Sequence, residues 1–281
     1  MPSFLQGFSN YLVEKNSVLC VGLDPALPRQ RANNVIPPKY LASPDENKSR
    51  LDFCLDVVEQ VSEFSVAAKP NQQYVFGFTK KQHKRLTDAI RKSKMISILD
   101  YKLNDIRDTV ESSLFHLSEC GYDAITFNPF MGNMEEAVKL AHDTAKNKRR
   151  SELGIIVLTL TSNPEAIKYM KQATLNNAPL YVSIARDVET TGADGLVVGA
   201  TGHVTEDDIR NIRKIVGEER VLLIPGVGAQ HGDHEKIIRF GGHNILINVG
   251  RDIIYSKSPR REAKKYAELF NDSRKRHQSV S

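Results

Sequence analysis

The chain has 281 residues, 40% of them apolar and 26% charged, with a formal net charge of +5. That is the composition of an ordinary globular protein able to bury a sizeable core, and the longest apolar runs, such as Ile155–Leu158, are too short to span a membrane. Residues 257–281 hold eight Lys/Arg against three acids, which equals the whole charge excess, and no aromatic pattern for stacking bases accompanies it, so nucleic acid is discounted as a partner.

The first residues, Met1–Phe8, lack the charged and apolar regions of a signal peptide. Cys20, Cys54 and Cys120 are scattered and form no CxxC pair, so they read as reduced, mostly buried thiols of a cytoplasmic protein. In chain order, a helix over Phe4–Lys15 leads into a first strand from Val18 that ends at Asp24. A polar, proline-bearing insert (25–49) precedes a helix near 51–64. The second strand, from Ser65, ends at Lys69, and a helix follows over 79–93.

The third strand starts at Ile96 and runs into Asp100, Lys102 and Asp105. Residues two apart on an extended strand share a face, so Asp100 and Lys102 should point into one place, while Asp105 falls in the turn before the next helix. An ammonium beside carboxylates keeps its proton, which suits a proton donor or an electrostatic anchor; a strand-end salt-bridge cluster would look the same. The next helix spans about 108–120 and is stopped by Gly121.

A fourth strand, 123–129, passes Asn128, and a helix from Met134 runs into the basic run 146–150. The fifth, from Leu153, ends in Thr161-Ser162-Asn163-Pro164, ahead of a helix over 179–191. The sixth, 194–201, is followed by a helix capped by Thr205. The seventh, 221–225, meets Gly226-Val-Gly-Ala-Gln230; a short helix, 234–240, leads to the eighth, 244–251, and a helix near 260–270 closes the series. Eight short apolar runs alternating with helices imply a closed α/β (βα)8 TIM barrel in a single domain over 1–281, with a basic tail from about 271.

In such barrels the chemistry sits at the C-terminal strand ends, where this chain places Asp24, Lys69, Asp100, Lys102, Asn128, Thr161, Ser162, Thr201, Gln230 and Arg251. Gly226, Gly228, Gln230, Gly250 and Arg251 offer backbone N–H groups, an amide and a guanidinium to a phosphate. Ser162 could reach a bound base. The loop residues His231, Asp233 and His234 have no third ligand pattern to make a metal site, and none is expected. No GxSxG acyl-transfer motif is present.

With these residues assembled, the chain resembles the orotidine 5′-monophosphate decarboxylases of the longer form. Asp100-x-Lys102-x-x-Asp105-Ile106-x-x-Thr109 matches that family's DxKxxDIxxT signature, and Lys69, Asp24, Thr161–Pro164, Pro225–Gln230 and Val249–Arg251 follow in the family's order. The insert after the first strand and the short loop after Gln230 depart from it. The resemblance implies conversion of orotidine monophosphate to uridine monophosphate and carbon dioxide, the last step of de novo UMP synthesis, without a cofactor. It implies that Lys102 protonates C6 within a network of Asp100, Asp105 and Lys69. It also implies that Asp24 and Thr109 bind ribose, that Ser162 reads the pyrimidine edge, and that Pro225, Gln230, Gly250 and Arg251 complete the substrate site. A homodimer is implied in which Asp105 and Thr109 reach the partner's site. The alternatives are a metal-dependent keto-sugar phosphate decarboxylase on the same barrel, which Lys69 would oppose by repelling the metal, and a catalytically silent phosphate-binding barrel.

Overall fold

The computed structural model describes residues 3–146, 152–228 and 232–278. Eight parallel strands close into a barrel: β1 (Leu19–Leu23), β2 (Ala67–Pro70), β3 (Ile96–Leu103), β4 (Ala124–Phe127), β5 (Gly154–Leu160), β6 (Gly195–Val198), β7 (Val221–Pro225) and β8 (Ile245–Val249). Neighbours in sequence pair all the way round, and the seam closes where Leu19 of β1 faces Ile247 of β8. The helices are α1 (Phe4–Lys15), α2 (Glu46–Val61), α3 (Lys80–Lys92), α4 (Arg107–Cys120), α5 (Met134–Lys146), α6 (Leu180–Thr191), α7 (Glu206–Val216), α8 (His234–Phe240) and α9 (Pro259–Gln278).

Local chemistry sets most boundaries. Thr79 and Gln82 form a capping box at the start of α3, and Thr205 with Asp208 does the same for α7. Gly121 takes the left-handed conformation that ends α4. Alternate strand residues point inward and form a core of their own: Cys20, Ala67, Ile96, Ile98, Ala124, Ile156, Val197, Leu223 and Leu246 pack against Phe4 and Phe8 of α1, which plug the N-terminal end. A Cβ at Gly154 would stand 2.6 Å from the Phe4 ring, so glycine there lets the plug seat. The other strand faces join the helices in a second, larger core.

Three features depart from the expected series. Helix α2 begins at Glu46, earlier than expected, because the Asp45 carboxylate caps the N–H groups of Asn47 and Lys48 over a polar first turn that carries no apolar period. Between β5 and α6 the chain forms a π-helical turn (Ile167–Gln172) and a two-residue hairpin, Thr174–Leu175 with Ala178–Pro179, turned by Asn176 and Asn177 at positive φ. The last helix continues through Gln278, so the stretch expected as a tail from about 271 is helical over its described part. Ser273 is fully buried and donates to Glu235 of α8 at 2.7 Å, and His277 Nε2 lies 3.0 Å from the same carboxylate. Of the basic run 146–150 only Lys146, at the described end of α5, is placed; the rest lies outside the described residues.

Candidate active site

The C-terminal end of β3 is not a plain extended strand. Its register against β4 shifts between Leu99 and Leu103, and Lys102 sits at φ 57°, the left-handed region. For a residue with a Cβ that conformation costs about 1–2 kcal/mol. The turn it makes is held by Thr126 of β4, whose hydroxyl accepts from the Lys102 N–H at 2.9 Å and donates to Asp100 Oδ1 at 3.2 Å. Asp100 and Lys102 meet as expected, although the backbone between them is bent out of simple alternation.

Asp100 divides its oxygens between two cations. Oδ2 accepts from Lys69 Nζ at 2.5 Å and Oδ1 from Lys102 Nζ at 2.6 Å. Lys69 is buried at the end of β2, its side chain 7% exposed, whereas Lys102 is 48% exposed and faces the mouth. Burial alone would raise the Asp100 pKa, but the two ammonium groups, Lys69 foremost, outweigh it and hold the carboxyl well below the usual range. Burial alone would lower that of Lys69; Asp100 and then Asp24 reverse this and raise it. Three groups thus carry one net positive charge, with its reachable end on Lys102. Cys20, buried nearby, has its thiol pushed up to about 12 by burial and is no nucleophile.

Beside this cluster lies a cavity of about 220 Å³, lined by Lys69, Asp100, Lys102 and Thr126 on one side and Thr161, Ser162 and Asn163 on the other, with Leu158, Val197, Leu223 and Pro225 completing it. Its size suits one flat ring better than a whole nucleotide, since drug-sized ligands occupy roughly 300–1,000 Å³. In the loop after β7, Gly226 has φ 102°, in the region that favours glycine, and a Cβ on Gly228 would stand 3.0 Å from Asp252 Oδ2 and 3.1 Å from Val249 of β8. Gly250 precedes the helical turn Arg251–Ile254, and a Cβ on it would stand 3.9 Å from Asp24 Oδ2, which brings the ends of β1 and β8 together. Tyr255 fixes this junction: its hydroxyl donates to the Asp24 carbonyl and accepts from the Ala26 N–H.

Two expected residues stand apart. Asp105 Oδ1 accepts from the Ile106 N–H at 2.9 Å, and no ion pair joins it to Lys102 among the described residues. Thr109, in the first turn of α4, is exposed. Gln230, with His231, lies outside the described residues. Sequence reasoning missed Thr126, whose signal was a lone hydroxyl in the apolar run Ala124–Phe127, and Asn163, visible only as part of a turn.

A model of the orotidine 5′-phosphate decarboxylase / HUMPS family matches residues 17–266. The chain belongs to this family. It is 31% identical to an orotidine 5′-phosphate decarboxylase of Herpetosiphon aurantiacus, over 95% of this chain and 96% of that one. It is 34% identical to the Ralstonia pickettii protein of the same name, over 86% of each. The crystal structure of the Plasmodium berghei orotidine 5′-monophosphate decarboxylase shares the fold, with a TM-score of 0.78 at 21% identity over 98% of this chain and 99% of that one. In this chain the end of β2 carries Lys69, a buried ammonium on Asp100.

Proposed function

We propose that the Lys69–Asp100–Lys102 cluster performs the decarboxylation of orotidine 5′-monophosphate to uridine 5′-monophosphate, the final step of UMP synthesis, in this family member. The carrying observation is the Asp100 carboxylate held between a buried and an accessible ammonium. As the C6–carboxyl bond breaks, its electron pair stays on C6 and carbon dioxide departs. The Lys102 ammonium stabilises that charge and then gives C6 its proton. Exposed at the mouth, Lys102 regains a proton from solvent. Asp100, itself held by Lys69, positions that ammonium at the mouth of the cavity.

The resemblance to the family supports the remaining substrate contacts, with Thr109 reaching the site of a second copy. The ring enters the cavity against Ser162. Asp24 and Thr109 take the ribose hydroxyls, and Gln230, Gly250 and Arg251, with Pro225 at the base of the loop, take the phosphate. Binding energy from the phosphoribosyl group offsets the cost of organising the charged centre. The whole chain serves as one catalytic domain and needs no metal or organic cofactor. A cytoplasmic site of action is supported by three buried free thiols.

The enzyme works as a homodimer with shared sites. Supporting this, Asp105 makes no ion pair with its own Lys102 among the described residues, and Ile106, Phe130 and Met131 beside it are 54%, 82% and 45% exposed. Asn133 Nδ2 donates to the Asp105 carbonyl and so links the two loops that carry these side chains. Such an apolar patch around a catalytic turn suits burial against a second copy.

The test is turnover of orotidine 5′-monophosphate, followed by loss of orotate absorbance, before and after exhaustive chelation. Undiminished activity is expected. Loss on chelation with recovery on adding magnesium would favour the keto-sugar phosphate reading, and no turnover at all would favour a silent phosphate-binding barrel.

A further inference from the structure

The end of β6 is tied to the end of β5 at three successive points. The Gly199 N–H donates to the Leu160 carbonyl at 2.7 Å, the Thr201 hydroxyl donates to the Ser162 carbonyl at 2.7 Å, and His203 Nε2 lies 2.9 Å from the Thr161 carbonyl. The approach is close enough that a Cβ on Gly199 would stand 2.6 Å from Ser162 Cα. Thr161 and Ser162 line the cavity beside Lys102, whereas Thr201 and His203 lie behind them, along a neighbouring open groove.

Counting protons gives this arrangement a second property. A carbonyl oxygen only accepts, so Nε2 must carry a proton to bond Thr161. The Thr201 hydroxyl has a single proton, which goes to the Ser162 carbonyl. Its remaining contact, to His203 Nδ1 at 3.1 Å, is then a hydrogen bond only if Nδ1 is protonated as well. With neutral imidazole, Nδ1 becomes an acceptor and competes with Ser162 for the Thr201 proton.

We propose that His203 and Thr201 are positioning residues that hold Ser162 against the pyrimidine through its backbone, and that the hold is complete only when both His203 ring nitrogens are protonated. This rests on the reading of Ser162 as the residue facing the base. Charged groups bonded to His203 or to residues near it include Lys171 and Glu165 from the segment after β5, Asp208 from α7, and Asp233 and Lys236 from the start of α8. Lys171 Nζ bonds the His203 carbonyl at 3.0 Å and Asp208 Oδ2 at 2.6 Å, and Asp208 is further held by the Thr205 N–H and hydroxyl. Glu165 accepts from Asn163 Nδ2 at 3.0 Å, Lys236 donates to the Val204 carbonyl, and the Asp233 N–H donates to the Ala200 carbonyl.

The experiment compares wild type with His203→Gln, Thr201→Val and Thr201→Ser, after thermal unfolding has confirmed that each folds. Dissociation constants are measured for UMP, which carries the base, and ribose 5-phosphate, which does not; KM and kcat are measured for orotidine 5′-monophosphate. Thr201→Val should weaken UMP binding and raise KM about 3–10-fold, the effect of one lost hydrogen bond, with a smaller change in kcat. Ribose 5-phosphate should bind unchanged, and Thr201→Ser should restore UMP. As pH rises, wild-type UMP affinity should fall relative to that of ribose 5-phosphate, and His203→Gln should remove this trend. Equal losses for both ligands, or unchanged UMP binding in Thr201→Val, would overturn the positioning role. Persistence of the pH trend in His203→Gln would overturn the part played by the second ring proton. If wild type binds ribose 5-phosphate but neither binds UMP nor turns over substrate, the functional reading itself fails, and this proposal with it.

Discussion

Lys102 is the more exposed cation of the cluster, and its left-handed backbone places it there at a local cost. That cost is tolerated because Thr126 and Asp100 hold the turn from both sides. Asp100→Asn should leave Lys69 buried without its counter-charge and destabilise the fold by about 3 kcal/mol at neutral pH. Because the folded Asp100 pKa lies below the unfolded one, its contribution is complete above about pH 4 and is lost as pH falls further. The gap between wild type and Asp100→Asn in urea unfolding should therefore narrow below pH 4; a gap that stays constant to pH 2 would contradict the pairing. Lys69 acts in the opposite sense: its raised pKa contributes stability fully below about 10.5 and loses it above. At the far end of the substrate, Arg251→Ala should weaken phosphorylated ligands by about 1.5–3 kcal/mol while sparing a nucleoside. Equal losses on both would mean that Arg251 serves the barrel and not the phosphate.

The eight strands were legible because each is a short apolar run with a polar group at or just past its end, and the cap Thr205 and the stop Gly121 stand in plain view. The meeting of Lys69, Asp100 and Lys102 was legible because all three stand at the ends of neighbouring strands, although a structural salt-bridge cluster would read the same way. What escaped depends on contacts between distant segments. Thr126 gains its role only from the bend at Lys102, 24 residues away in sequence, and the ties from Thr201 and His203 reach about 40 residues back to the β5 end. The hairpin after β5 is too short to leave a periodic pattern. The end of α9 reads as a basic tail because its anchor, Glu235, lies on another element. Its Oε2 accepts from Ser273, and Arg276 pairs with Oε1. Truncation after Phe270 should lower the melting temperature by about 2–4 °C for each 1 kcal/mol lost, read by calorimetry. An unchanged melting temperature would show that these contacts contribute nothing.

On the scale of the whole molecule, the barrel gathers a cation pair from β2 and β3, a ring-sized cavity, and glycine-lined loops on one rim, and leaves an apolar patch beside Asp105. Shared sites make a quantitative demand on that patch. Lys102→Ala and Asp105→Ala should each be inactive alone. When their subunits are mixed and exchange is verified, about half the dimers should be hybrids, each with one intact site, so about a quarter of all sites should regain activity. Confirmed exchange without recovery would mean that Asp105 serves its own barrel. The central claim, that Lys102 carries the chemistry, has a more direct test. Purified wild type and Lys102→Ala, both free of host enzyme, are given orotidine 5′-monophosphate, and orotate absorbance and UMP binding are recorded together. Wild type should consume the substrate, and Lys102→Ala should bind UMP while producing none. Turnover by Lys102→Ala at the wild-type rate would contradict the account.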